Sequence, residues 1–111
     1  MKYRRELLKG STEGLLLSLV SEQPMYGYLI IKVLERRSRG YFKFKEGTMY
    51  PALHRLEKDK LILSRWERLP GGQERRYYHI TDKGRRVLTT KMAEWQGFSK
   101  AVNLVLMPSG A

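Results

Sequence analysis

The chain has no cysteine among its 111 residues. That excludes disulfides and thiol redox chemistry, and it removes the soft ligands of structural zinc sites. Histidine is scarce as well: His54 and His79 are the only two, and neither lies in a cluster with metal-ligand spacing. No metal and no cofactor is expected. Long apolar runs are missing, since none approaches the roughly 20 residues of a membrane-spanning helix. The segment MKYRRELLKG is basic but lacks the apolar stretch and small-residue cleavage site of a secretion signal. Acid is the last shortage. Eleven Asp and Glu face 22 Lys and Arg, giving a formal charge of +11 and a pI of about 10.1. Such a field attracts polyanions, nucleic acid ahead of an anionic membrane. The expectation is a cytoplasmic, bacterial, single-domain protein with no membrane partner. An enzyme is not expected. There is no phosphate loop, no paired acid or nucleophile beside either histidine, and Asp59 and Asp82 fall at helix ends.

What is present is a run of short periodic segments. Ser11 or Thr12 can cap a helix to about Val20, with Leu15, Leu16, Leu19 and Val20 on its apolar face, and residues 3–9 read as a separate helical turn. After the break at Ser21 to Pro24, Leu29, Ile30, Val33 and Leu34 mark a second helix from about Tyr26 to Arg37. An extended linker, Tyr41 to Lys45, precedes a third helix from Glu46 or Gly47 to Asp59, whose core stripe is Met49, Leu53 and Leu56. Two strands, about Ile62 to Leu69 and Arg75 to Ile80, flank a Pro70-Gly71-Gly72 tip. Thr81 opens a long helix that can reach Leu106. Helix, helix, helix, strand, strand and long helix is a mainly α pattern: a winged helix-turn-helix domain of three helices plus a two-stranded wing, with a long C-terminal dimerisation helix. The expected division is 1–81 for the winged unit, 82–106 for the dimerisation helix and 107–111 for a tail.

The third helix and the hairpin carry the functional signal. A duplex major groove admits one helix, and base edges are read from its outward face. Thr48, Tyr50, Pro51, His54, Arg55 and Lys58 lie off the core stripe there. Pro51 is expected in the first turn, where a missing N–H costs little. Lys43 and Lys45 precede the helix as expected phosphate contacts. Arg75 and Arg76, beside the glycine tip, can approach the minor groove or its flanking phosphates. These residues point to double-stranded DNA. The alternative is a winged helix that binds protein or RNA; the polar, basic outer face of the third helix argues against a protein partner.

The same residues carry a resemblance. Met25-Tyr26-Gly27-Tyr28, Gly47-Thr48-Met49-Tyr50-Pro51-Ala52-Leu53, Leu56-Glu57-Lys58-Asp59 and Arg76-Tyr77-Tyr78-His79-Ile80-Thr81-Asp82-Lys83-Gly84 resemble the PadR family of bacterial transcriptional regulators, in its short branch. The resemblance extends from about Leu7 to Leu106. It implies a homodimeric repressor on a palindromic operator, with Tyr26, Tyr50 and Tyr78 clustered where helices meet wing. The chain departs from the family at Lys60, where glycine is usual. Glycine there suits a left-handed residue that ends a helix, and lysine in that conformation costs about 1 kcal/mol; a different turn at Lys60 is the alternative.

Leu88, Met92, Trp95, Phe98, Val102 and Val105 follow a nearly heptad spacing, which predicts packing on another helix, most simply in a second copy of the chain. Gly97 weakens that helix by about 1 kcal/mol relative to alanine and allows a kink. At Trp95 the chain resembles the multidrug-binding PadR regulators, which place a tryptophan at this distance from the Thr-x-x-Gly turn, in a pore at the dimer centre. The resemblance implies a planar aromatic or cationic effector held by Leu7, Leu88, Met92, Trp95 and Phe98. The plainer reading is that Trp95 belongs to the interface core.

Overall fold

The structure, a computed structural model, describes the backbone of residues 2–108 and the side chains of residues 11–108. Leu7 and the end of the expected tail therefore lie outside the described side chains. The elements are α1 (Lys2–Glu22), β1 (Met25–Tyr26), α2 (Gly27–Arg37), α3 (Glu46–Lys58), β2 (Ile62–Arg68), β3 (Glu74–Ile80) and α4 (Asp82–Leu106). The strands form an antiparallel sheet in the order β1-β3-β2.

Three features differ from the sequence reading. The separate turn expected at 3–9 is absorbed into α1, which runs unbroken from Lys2 to Glu22. Tyr26 does not start α2. It is the extended residue before it, and with Met25 it forms β1, so the two-stranded wing has a third strand at its base. Pro51 stands sixth in α3 rather than in its first turn. The carbonyl that loses its partner there is that of exposed Gly47, where water can serve instead.

The core lies where α1, α2, α3 and the base of the sheet meet. Leu16, Leu17, Leu19, Val20, Ile30, Leu34, Met49, Ala52, Leu53, Leu56, Ile62 and Tyr78 are buried in it. Phe44 joins them from the linker, so alternation along 41–45 turns Phe42 and Phe44 inward and Lys43 and Lys45 to solvent. Both α2 and α3 end in the same way. Arg39 (φ 53°) and Lys60 (φ 61°) take the left-handed conformation. The N–H of Gly40 reaches the Glu35 carbonyl at 2.7 Å, and that of Leu61 reaches Leu56 at 2.9 Å. These bonds satisfy carbonyls that a helix end otherwise leaves open. The expected left-handed geometry at Lys60 is thus present.

α4 is fixed to this body at its start. The Thr81 hydroxyl accepts from the Gly84 N–H at 3.0 Å and donates to the Lys60 carbonyl at 2.7 Å. A Cβ added to Gly84 would meet the Leu61 carbonyl oxygen at 2.1 Å, so only glycine allows this approach. Leu88 is buried, but Met92, Trp95, Phe98 and Val105 are exposed. The helix continues through Gly97 without interruption.

Candidate nucleic-acid interface

Helical geometry sorts the side chains of α3. Met49, Ala52, Leu53 and Leu56 occupy one side and are buried. Thr48, Pro51, His54, Arg55 and Lys58 fall on the opposite side and are all exposed. No side chain caps the helix; instead the Lys45 carbonyl accepts from the Thr48 and Met49 N–H groups, both at 3.0 Å. Lys43 and Lys45 are exposed just ahead of it. The exposed side of α3 and its approach therefore carry four cations, Lys43, Lys45, Arg55 and Lys58, against the single acid Glu46.

Tyr50 sits at the edge of this face. Its ring lies over Gly27, where an added Cβ would come within 2.4 Å of the phenol oxygen. Gly27 is thus the residue that lets α2 and α3 close. Behind Tyr50, burial pushes the Tyr78 phenol above its usual value; Arg76 opposes the shift, while Tyr50 and Glu57 add to it. Tyr50 and Tyr78 line one cleft of about 350 Å³ together with Tyr26, Gly27, Tyr28, His54, Trp66, Glu74, Arg75 and Arg76. The tyrosine cluster implied by the family resemblance is present at this junction.

The hairpin pairs in register from Ile62 with Ile80 to Arg68 with Glu74. Its tip turns through Gly71 (φ 98°) and Gly72 (φ 89°), a conformation that favours glycine. Strand alternation separates the two expected arginines. Arg75 is exposed, and its guanidinium lies 4.2 Å from the Tyr26 ring centroid, in cation–π range. Arg76 turns the other way, to Glu57 on α3 at 2.9 Å. Neither flanks the tip directly: their cross-strand neighbours are Glu67 and Trp66, several residues below it. The sequence reading overlooked Trp66, whose indole is 65% exposed on the wing. Its place in the alternating strand, opposite Arg76, was the available signal.

A second groove, about 560 Å³, runs between α1 and α4. It brings together Leu88, Met92, Trp95 and Phe98, and adds Ser11, Gly14, Leu15, Ser18, Phe42, Lys91 and Glu94. The Trp95 and Phe98 rings stand 6.0 Å apart. Lys91 faces Glu13 at 4.0 Å, across from α1. Phe42 was not expected there, because the linker bearing it carries no helical period. Among the described residues no group of three or more His, Asp or Glu side chains could hold a metal ion, and no helix is long and apolar enough to cross a membrane.

A three-helix body, a hairpin wing against its third helix and a basic outer face on that helix define the winged helix-turn-helix class of proteins. Comparison with known proteins narrows this. The model of the transcriptional regulator PadR-like family matches residues 16–90. A crystal structure of a PadR-like transcriptional regulator from Bacillus cereus is 36% identical, with a TM-score of 0.83 over 94% of this chain and 99% of that one. A transcriptional regulator of Mycobacterium tuberculosis is 33% identical over 85 residues, 77% of this chain and 76% of that one. Bacillus subtilis PadR, solved in complex with operator DNA, shares the fold at 22% identity and a TM-score of 0.66, over 73% of this chain and 45% of that one. The chain belongs to the PadR-like family of transcriptional regulators, which are not enzymes.

Proposed function

We propose that the protein is a transcriptional repressor that occupies a palindromic operator as a homodimer, and that a planar aromatic or cationic effector bound at the dimer interface releases it. The observation that carries the DNA reading is the face of α3. It offers Thr48, His54, Arg55 and Lys58 to solvent, with Lys43 and Lys45 before it and Arg75 on the wing beside it. Base edges are read by donors of this kind, and phosphates by the flanking cations. That Bacillus subtilis PadR is solved with operator DNA supports the same reading by analogy.

The dimer reading rests on α4. Met92, Trp95, Phe98 and Val105 are more than half exposed in the single chain, and a stripe of this length in water favours a second apolar surface. Residues 1–81 would then bind DNA, and 82–106 would join the subunits. The groove at Trp95 would hold the effector, and its occupancy would alter the distance between the two copies of α3.

Selection of bound duplexes from a random pool tests the function. The expected product is a palindrome whose half-sites lie about 34 Å apart, one duplex turn. Binding should also weaken steeply with salt, because lysines and arginines release counterions from the phosphates. A pool that yields no preferred sequence, or affinity indifferent to salt, would overturn the proposal.

A further inference from the structure

Glu57 stands on α3 between the buried stripe and the exposed face, and it holds both strands of the wing. One carboxylate oxygen accepts from the Ser64 hydroxyl of β2 at 2.6 Å. The other accepts from the Arg76 guanidinium of β3 at 2.9 Å. The pair is partly buried, with side chains 28% and 35% exposed. The Arg76 guanidinium lies 5.6 Å from the Tyr78 ring, and its Nε is buried.

We propose that Glu57 is a positioning residue that determines specificity: it fixes the wing against α3 and withholds Arg76 from the phosphate backbone, leaving Arg75 as the arginine of that pair that meets DNA. The inference rests on the DNA-binding reading above. Two physical arguments support it. A two-stranded ribbon is marginal alone, and β1 braces only its base, at Tyr77 and Tyr78. The Glu57 contact to Arg76, opposite Trp66, ties its middle to α3, and the contact to Ser64, opposite Tyr78, adds a second tie at the base. To reach a phosphate, Arg76 would have to leave a partly buried carboxylate without its counter-charge, which is costly. Among the described residues Arg75 makes no such ion pair. It lies over Tyr26 and stays exposed. Consecutive arginines therefore have different work, and Glu57 assigns it.

A phosphate contact adds affinity for every sequence alike, so a freed Arg76 should tighten binding to any duplex and steepen the salt slope; the loss of discrimination should come from the wing, which without the Glu57 contacts no longer holds a fixed position against α3. The test measures Kd against salt for the duplex recovered by selection and for a scrambled duplex of equal length. Glu57→Gln should tighten binding to the scrambled duplex several-fold and steepen its logarithmic salt slope by about one. The ratio of selected to scrambled affinity should fall about tenfold. Glu67→Gln removes the same charge from the wing without touching α3, and should leave that ratio unchanged. Adding Arg76→Gln to Glu57→Gln should restore the original slope. In the otherwise native protein, Arg76→Gln should leave the slope unchanged while Arg75→Gln makes it shallower by about one; this arm needs no folded Glu57 variant. The proposal is overturned if Glu57→Gln behaves as Glu67→Gln does, or if Arg76→Gln lowers the slope as Arg75→Gln does. A native protein that binds neither duplex overturns the DNA reading itself, and the proposal with it.

Discussion

Arg39 and Lys60 end their helices in a conformation where a side chain costs about 1 kcal/mol. At Lys60 the Schellman bonds need only backbone, from the Lys60 N–H to Glu57 at 3.0 Å and from Leu61 to Leu56 at 2.9 Å. The side chain is exposed and adds to the basic field. Replacing Lys60 with glycine should therefore keep the turn and relieve the strain. The expected gain is about 1 kcal/mol, or roughly 4–8 °C in melting temperature for a domain near this size. Thermal melts of the native chain and Lys60→Gly decide it, and a fall in Tm would mean that lysine makes a stabilising contact there. At this scale the sequence was legible where a residue's chemistry is tied to its backbone, as at Thr81, and the family resemblance supplied the turn at Lys60; the close approach at Gly84 showed only in the fold. The sequence was less legible where a side chain's partner is remote. Arg75 and Arg76 look alike in the chain, but strand alternation sends one over Tyr26 and the other to Glu57, nineteen residues earlier.

The long periodic helices could be read because their apolar spacing is set by the helix itself. The extent of α1 could not, because Gly10 and the polar residues around it break the period without breaking the helix. β1 was hidden for a related reason. Two residues cannot show alternation, and Met25 and Tyr26 are extended because they pair with Tyr78 and Tyr77. Phe42 was missed because it reaches the groove from a linker. The groove is the element-scale feature with the clearest test. Ethidium, a planar cation, should quench the intrinsic fluorescence of the native protein, and the quenching should largely vanish in Trp95→Phe, where Trp66 is the remaining indole. Equal quenching in both proteins would put the dye elsewhere. Cations stack on indole faces, and Glu94 lines the same groove.

As a whole the molecule is elongated, 60 × 28 × 24 Å, with a radius of gyration of 16.1 Å. A compact chain of this length would be about 13 Å. The excess is α4, whose 25 residues extend about 37 Å from an anchored start to a free end. If that end is a subunit interface, a charge in the stripe should divide the dimer. Phe98→Glu is expected to sediment with the mass of one chain and to lose at least tenfold in affinity for a duplex with two half-sites, since linked sites gain from effective concentration. A variant of unchanged mass would remove Phe98 from the interface. The anchored start has a mechanical consequence. Gly84 lies so close to Leu61 that no side chain fits between them, so a tilt of the helix would be passed to the body that carries α3. Tilting a lever of that length by about 5° swings its far end through about 3 Å, close to the rise of one base pair. On the dimer and effector proposed above, a molecule wedged beside Trp95 would need to produce only that small tilt to throw one copy of α3 out of step with the other along the duplex.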